Sequence, residues 1–432
     1  MTAALASLAP AAPHQRAPPL AAAVPGPTMA LKQRVARNEA RRKAVARDFR
    51  TDTITVPTEE MIALMQTASL GDSVYEEDED TAELEKRVAQ LAGKEAGLFC
   101  VSGTLSNQLA IRSHLTHATP VNVVTDARAH VHLSEAGGIA FHSQASTHTV
   151  YCRSGHHMTT EEVLVNCVFE EDVHSSMTQL VCVENTLSGM IFPQPELVRL
   201  REALDAYAVP LHCDGARMWD VLAKTGMSLD EACAPFHTVS LCMSKGLGAP
   251  VGSVLVGPKA FIDKARWYRK LFGGGLRQTG GLALAASHAL TAHLALLPRV
   301  HTLAKRLAHG LVATGVALDL PVETGMVWLD PAPIGASMRE LQLRAAERGI
   351  TLGAPRGRVV LHFQIDDQAV DDLLEVVRAL KHEKADEARA WVERVGVEHA
   401  DEVMRRSRMF ADGRWEGRIE GPRRSLPAYG RG

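Results

Sequence analysis

Two short stretches put a carboxylate and an amine where a fold could bring them together. Leu211-His212-Cys213-Asp214-Gly215-Ala216-Arg217 ends an apolar run in an acid, a glycine and a cation, and Ser244-Lys245-Gly246-Leu247-Gly248 ends another in a lysine followed by glycines. Lys245 follows Asp214 by 31 residues, one helix-and-strand step of an alternating fold. Neighbouring strand ends of an open α/β sheet form its usual ligand crevice. An amine beside a carboxylate in that crevice suits pyridoxal phosphate. The lysine forms a Schiff base with the aldehyde, and the carboxylate keeps the ring nitrogen protonated so that the ring accepts electrons. The phosphate needs a cradle, and Ser102-Gly103-Thr104, between a predicted strand and a predicted helix, offers backbone N–H groups at a helix N-terminus. Taken singly, Lys245 reads as a surface lysine and Asp214 as a helix cap. In this order and with the cradle, they specify one chemistry.

Other chemistries are not written in the chain. There is no GxxxxGK[ST] loop, no HExxH and no GxSxG, and Gly273-Gly274-Gly275 is not a dinucleotide fingerprint. The acidic run Glu76-Glu77-Asp78-Glu79-Asp80 lacks the spacing of a calcium loop and reads as a solvated face. His130 and His132, two apart, would share one face of a strand. With no third ligand in the pattern, no metal site is expected.

The elements that must position these residues alternate. Helical spacing over 81–92 is followed by a short apolar run at 96–101 and a second helical stretch at 105–115. Apolar runs at 121–124, 180–183, 209–213, 238–243 and 252–256 read as buried strands, with a helix over 195–207. Strands alternating with helices predict a mainly parallel sheet covered on both faces. From 281 one long helical segment runs to about 316. Two strand candidates at 326–329 and 359–363 then flank a helix at 337–347, a smaller α+β unit closed by helices from Asp367. The expected organisation is a basic, disordered extension over 1–47, a large cofactor-binding domain over 48–295, a small domain over 296–400 and a loose Arg/Gly-rich tail over 401–432.

Composition narrows the function classes. A formal charge of -3 argues against a globally basic nucleic-acid binder, although residues 1–47 carry eight basic residues and one acid, Glu39. No run of 18 apolar residues suggests a membrane span. The seven cysteines are scattered without a CxxC pair, which fits a reducing compartment better than a disulfide framework. The Ala/Pro-rich start cannot bury a core. It is acid-poor and contains arginine, so the expected cytoplasmic location has a mitochondrial alternative.

Further stretches sharpen the reading. They are Phe49-Arg50-Thr51-Asp52-Thr53, Gly71-Asp72-Ser73-Val74-Tyr75-Glu76-Glu77-Asp78, Ser102-Gly103-Thr104-Leu105-Ser106-Asn107, His130-Val131-His132-Leu133-Ser134-Glu135-Ala136-Gly137-Gly138, Glu184-Asn185-Thr186, Gly273-Gly274-Gly275-Leu276-Arg277-Gln278 and Arg358-Val359-Val360-Leu361-His362. With the Asp214 and Lys245 stretches, they make the chain resemble the threonine aldolases over roughly residues 48–365. These are fold-type-I pyridoxal phosphate enzymes that cleave β-hydroxy-α-amino acids to glycine and an aldehyde. The Glu-Asn-Thr-Leu-Ser-Gly-Met-Ile form is similar to the fungal branch.

The resemblance implies a seven-stranded, mainly parallel sheet in an aspartate-aminotransferase-like large domain. It implies Lys245 as Schiff-base lysine, Asp214 at the ring nitrogen and His130 stacked on the ring. Gly103, Thr104 and Ser244 would hold the phosphate, and Arg217 would stand near Asp214. Arg277 would reach a phosphate, across a subunit contact. Arg358, aided by Thr51, would fork the substrate carboxylate, a geometry lysine cannot reproduce. Tyr75 and Glu77 would approach a neighbouring active site in a homotetramer or dimer. The expected substrates are L-threonine and L-allo-threonine. Leu187 stands where many bacterial members have a histidine, which leaves His130 as the expected base, acting directly or through water. The same lysine, aspartate and arginine would also serve an alanine racemase. A non-catalytic scaffold using its basic N-terminal segment is the remote alternative, and the intact Lys245, Asp214, His130 and Arg358 argue against it.

Overall fold

A computed structural model describes residues 31–171, 173–353 and 357–417. Two units divide the chain, residues 1–43 and 44–432. In the first, the described residues belong to the basic helix Leu31–Val45, so helix replaces the disorder expected there. Residues 1–30 lie outside the described residues.

The second unit is built on a seven-stranded sheet. Its strands are β1 (Ala96–Cys100), β2 (Val121–Asp126), β3 (Ala145–Val150), β4 (Thr178–Glu184), β5 (Leu211–Gly215), β6 (Thr238–Cys242) and β7 (Ser253–Gly257). The order is β1-β7-β6-β5-β4-β2-β3. From β3 to β6 all pairs are parallel, and β7 runs antiparallel to both its neighbours. Strands β2, β4, β5, β6 and β7 are buried at every position, which is why they read as unbroken apolar runs. β3, Ala-Ser-Thr-His-Thr-Val at the sheet edge, is polar and only partly buried, and its sequence carries no such run.

A three-stranded antiparallel sheet follows, β8 (Ala317–Leu318), β9 (Met326–Asp330) and β10 (Arg358–Val360), in the order β10-β9-β8. The segment expected to run as one helix from 281 to 316 is two, Gly280–Ala292 and Leu297–Thr314, joined by a short 3-10 turn. Pro298 sits in the first turn of the second helix, where its missing N–H costs nothing. Among the described residues no single helix is long and apolar enough to cross a membrane.

Among the described residues four apolar clusters form, two of them large. One surrounds the central strands and includes Val183, Cys213, Leu241 and Trp219. The other includes Val300, Leu307, Val327, Val359 and Leu373. Phe49 lies fully buried in the second core. The chain there bridges Asp48 to Thr351, and the Val360 N–H donates to the Phe49 carbonyl. Residues 48–52 are thereby laid beside β10, which brings Arg50 to Arg358 and Asp52 to His362. Helix Val397–Ala411 buries Phe410 and Ala411 in the same core, so the chain expected to be loose from 401 is folded there. Residues 418–432 lie outside the described residues.

Candidate active site

The site collects at the C-terminal ends of β4, β5 and β6. Asp214 in β5 is opposite Glu184 in β4 and Ser240 in β6. Its carboxylate accepts from Asn107 Nδ2 at 2.8 Å and from the Ala216 N–H at 3.0 Å. Asn107 lies on helix Gly103–His114, and its amide also donates to Glu135 Oε1 at 2.9 Å. His212 sets the amide's orientation. Its ring contacts Thr238 Oγ1 at 2.9 Å and Asn107 Oδ1 at 3.3 Å, and burial pushes its pKa down to about 4. A neutral imidazole has one N–H, so Nε2–H donates to Asn107 Oδ1 and leaves the amide nitrogen for the two carboxylates.

His130 occupies a helical turn, His130–Leu133, rather than the expected strand, so His132 does not share its face and is exposed. The His130 ring donates to Glu135 Oε1 at 2.8 Å, and its backbone N–H donates to Glu184 Oε2 at 2.7 Å. Burial disfavours the charged ring. The Glu135 hydrogen bond and the nearby Asp214 and Glu184 carboxylates outweigh it, and His130 is held above its ordinary value. His130, Glu135 and Asp214 lie close enough to resemble a metal triad. Asn107 and the imidazole already fill those carboxylate lone pairs.

Lys245 follows β6 in a tight loop. Gly248 has φ +73°, and a Cβ there would lie 2.4 Å from the Phe363 ring, so only glycine fits this turn. Ser244 Oγ stands 3.5 Å from Cys242 Sγ. The Lys245 charge acts on both Asp52 and Glu184. Asp52 and Arg217 form a buried bidentate pair, with both N···O distances 2.7 Å. Burial alone would raise the Asp52 carboxyl. Arg217, with Lys245 and His362, holds it below the usual range. A small cleft opens on this pair, lined also by Gly246, Thr324, Val360 and His362.

At the other side, Ser102 caps helix Gly103–His114, its hydroxyl accepting from the Leu105 N–H. The buried Ser253 Oγ has no hydrogen-bond partner, and a Cβ on Gly103 would lie 3.6 Å from it. An orphaned hydroxyl next to open helix N–H groups fits an anionic phosphate. Thr51 caps the turn Asp52–Ile54, and Arg358 Nη2 lies 3.5 Å from the Arg50 carbonyl. Thr51 therefore sits on the strand-like segment beside β10, and Arg358 on β10 itself.

Arg277, Tyr75 and Glu77 form a separate group. Arg277 pairs with Asp72 at 2.9 Å, Ser73 N–H donates to the Arg277 carbonyl, and Tyr75 and Glu77 are exposed. No described contact within the chain joins them to Lys245.

Comparison with known proteins fits this geometry. The model of the beta-eliminating lyases matches residues 48–332. The chain belongs to the beta-eliminating lyase family. A probable low-specificity L-threonine aldolase of Schizosaccharomyces pombe is 45% identical over 77% of this chain and 86% of that protein. The low-specificity L-threonine aldolase of Candida albicans is 42% identical over 76% and 87%. The solved threonine aldolase of Leishmania major superposes with a TM-score of 0.66 at 18% identity, covering 77% of this chain and 99% of that one. The fold is that of the fold-type-I pyridoxal phosphate enzymes, as expected from the sequence.

Sequence reasoning missed the partners of the central residues. Asn107, Glu135, Glu184, Asp52 and His362 all stood in the quoted stretches, but nothing local said that Asn107 would bridge two acids or that Asp52 would meet Arg217. The only signal was polar residues at positions that a strand end or helix face must bury.

Proposed function

We propose that this protein is a pyridoxal-phosphate-dependent lyase that cleaves L-threonine and L-allo-threonine to glycine and acetaldehyde. The observation that carries the reading is the placement of Asp214 and Lys245 at the ends of the adjacent strands β5 and β6, with His130 brought beside Asp214 from the turn after β2. It is supported by family membership and by the activity for which the curated relatives are named.

The chain's residues divide the work. Lys245 would hold the cofactor by its aldehyde, and Asp214, fixed by Asn107 and Ala216, would pair with its ring nitrogen. When bound, the cofactor supplies an electron sink for the carbon that loses its substituent. Gly103, Thr104 and Ser244 take the phosphate. His130, aligned by Glu135, covers the ring face and accepts the β-hydroxyl proton. Arg358 and Thr51 take the substrate carboxylate. They thereby orient the bond to be broken, and such positioning is where enzymes gain much of their rate. Leu187 offers no hydrogen bond to the β-hydroxyl. With one hydrogen-bonding partner fewer at that group, discrimination between its two configurations is weak, which fits acceptance of both substrates. Arg277, Tyr75 and Glu77 serve a neighbouring subunit in a homotetramer or dimer.

The test is aldehyde release from both amino acids by purified protein with visible cofactor absorbance, run beside alanine racemisation and a Lys245→Ala control. Release lost in the variant supports the lyase. Racemisation without aldehyde, or release that survives Lys245→Ala, refutes it.

A further inference from the structure

Glu184 is the buried acid that the scheme above leaves without a task. It ends β4, and the strand register sets it opposite Asp214 on β5. Paired residues on neighbouring parallel strands leave the sheet on the same face. Two carboxyls therefore stand side by side, 5% and 3% exposed. Two buried like charges do not both ionise readily, and such a pair shares a proton.

The hydrogen bonds decide where that proton sits. Asp214 accepts two N–H donors, from Asn107 and Ala216. Glu184 accepts one, from the His130 backbone. Donors favour the ionised form, so Asp214 keeps the charge. The groups facing Glu184 agree. His130 and Lys245 attract its anion, but burial and Asp214 outweigh them and raise the carboxyl to about 7. At the end of β2, Asp126 is neutralised by a two-point bond from Arg128. His157, across the small cavity behind Glu184, is uncharged because burial lowers it to about 4. Leu187 and Met190 complete that cavity with apolar surface.

We propose that Glu184 is a positioning residue that holds its proton up to neutral pH, leaving Asp214 as the anion of the pair and sparing Lys245 a further negative neighbour. Its importance for the reaction rests on the lyase reading, but its protonation does not. As the solution turns alkaline Glu184 ionises, and its charge then stabilises the positive form of the nitrogen at Lys245.

The experiment compares the holoenzyme with Glu184→Gln, which keeps an acceptor for the His130 N–H and resembles the protonated acid. The infrared difference spectrum across neutrality is expected to show the loss of a protonated-carboxyl band. Labelling all glutamates with carbon-13 at the side-chain carboxyl should shift that band, and Glu184→Gln should lack it. The visible titration of the bound cofactor, two-step in the natural protein, should become one-step in the variant. The neutral limb of the aldehyde-release rate profile should vanish with it. The proposal is overturned by the absence of the band, by a band unmoved by glutamate labelling, or by a Gln variant that titrates like the natural protein. The labelled spectrum needs no variant to fold. A labelled band present in a protein that releases no aldehyde leaves the proposal standing and removes the lyase reading instead.

Discussion

Arg217→Met leaves Asp52 buried, ionised and without its partner. The natural pair is bidentate at 2.7 Å on both arms, and Asp52 is 3% exposed. At an effective dielectric of about 20, two unit charges some 4 Å apart attract by about 4 kcal/mol. Removing one member of a buried pair typically costs about 3–5 kcal/mol, because the remaining charge keeps its desolvation cost. The expected loss in urea unfolding of the holoenzyme is therefore about 3–5 kcal/mol. Asp52→Asn together with Arg217→Met should recover most of it, since no buried charge remains. The pH dependence follows from the direction of the Asp52 shift. In the natural protein its carboxyl is held below the unfolded value. Its contribution is thus present above that value and lost as pH falls through the depressed one. In Arg217→Met burial is opposed only by Lys245 and His362, so the carboxyl rises relative to the natural protein and the deficit should shrink on acidification. A deficit under about 1 kcal/mol, or a double variant no more stable than the single one, refutes the assignment of this pair as a buried, mutually dependent contact.

Three further outcomes are expected. Asn107→Leu removes the amide that donates to both Asp214 and Glu135. Hydrogen bonds to charged groups are worth about 1.5–3 kcal/mol each, so cofactor affinity of the apoprotein, read by absorbance titration, should fall at least about tenfold. Gly248→Ala meets both a left-handed backbone, φ +73°, and the Phe363 ring at 2.4 Å. A loss of about 2–4 kcal/mol is expected from the sum of backbone strain and overpacking, and Phe363→Ala in the same chain should restore only the packing part. Arg358→Lys keeps the charge but loses the fork. The KM for threonine should rise and kcat should fall, so that kcat/KM drops about tenfold or more, as measured by steady-state aldehyde release.

The fold was legible where burial is uniform. Strands β4 to β7 are buried on both faces, so their apolar runs stood out. β3 was not legible, because an edge strand tolerates Ser, Thr and His on its open side. The alternation of His130 and His132 suggested a strand, but the helical turn is set by tertiary contacts, the Glu184 carboxylate holding the His130 N–H and Glu135 the ring. In the site, Asp214, Lys245 and the Gly103 cradle could be read because each carries local turn chemistry. The Asp52–Arg217 pair spans 165 residues of sequence, and no local pattern encodes such a meeting. Arg50 and Asp52 reach Arg358 and His362 because Phe49 is drawn into the second core.

The charge inventory of the site makes the role of Glu184 more than a local matter. Four buried acids, Asp52, Glu135, Glu184 and Asp214, surround the Arg217 guanidinium, the Lys245 amine and the His130 imidazole, so even with every base charged one acid is left over. His362 does not add a fourth, since burial holds its imidazole below the ordinary value. An enclosed cluster with one uncompensated charge is costly, and ionisable groups respond by changing protonation. Neutrality requires one carboxyl to keep its proton. Asp52 has a two-point bond from Arg217, Glu135 accepts from His130, Asn107 and Gln108, and Asp214 accepts from Asn107 and Ala216. Glu184, with a single backbone donor, is the one that balances the site.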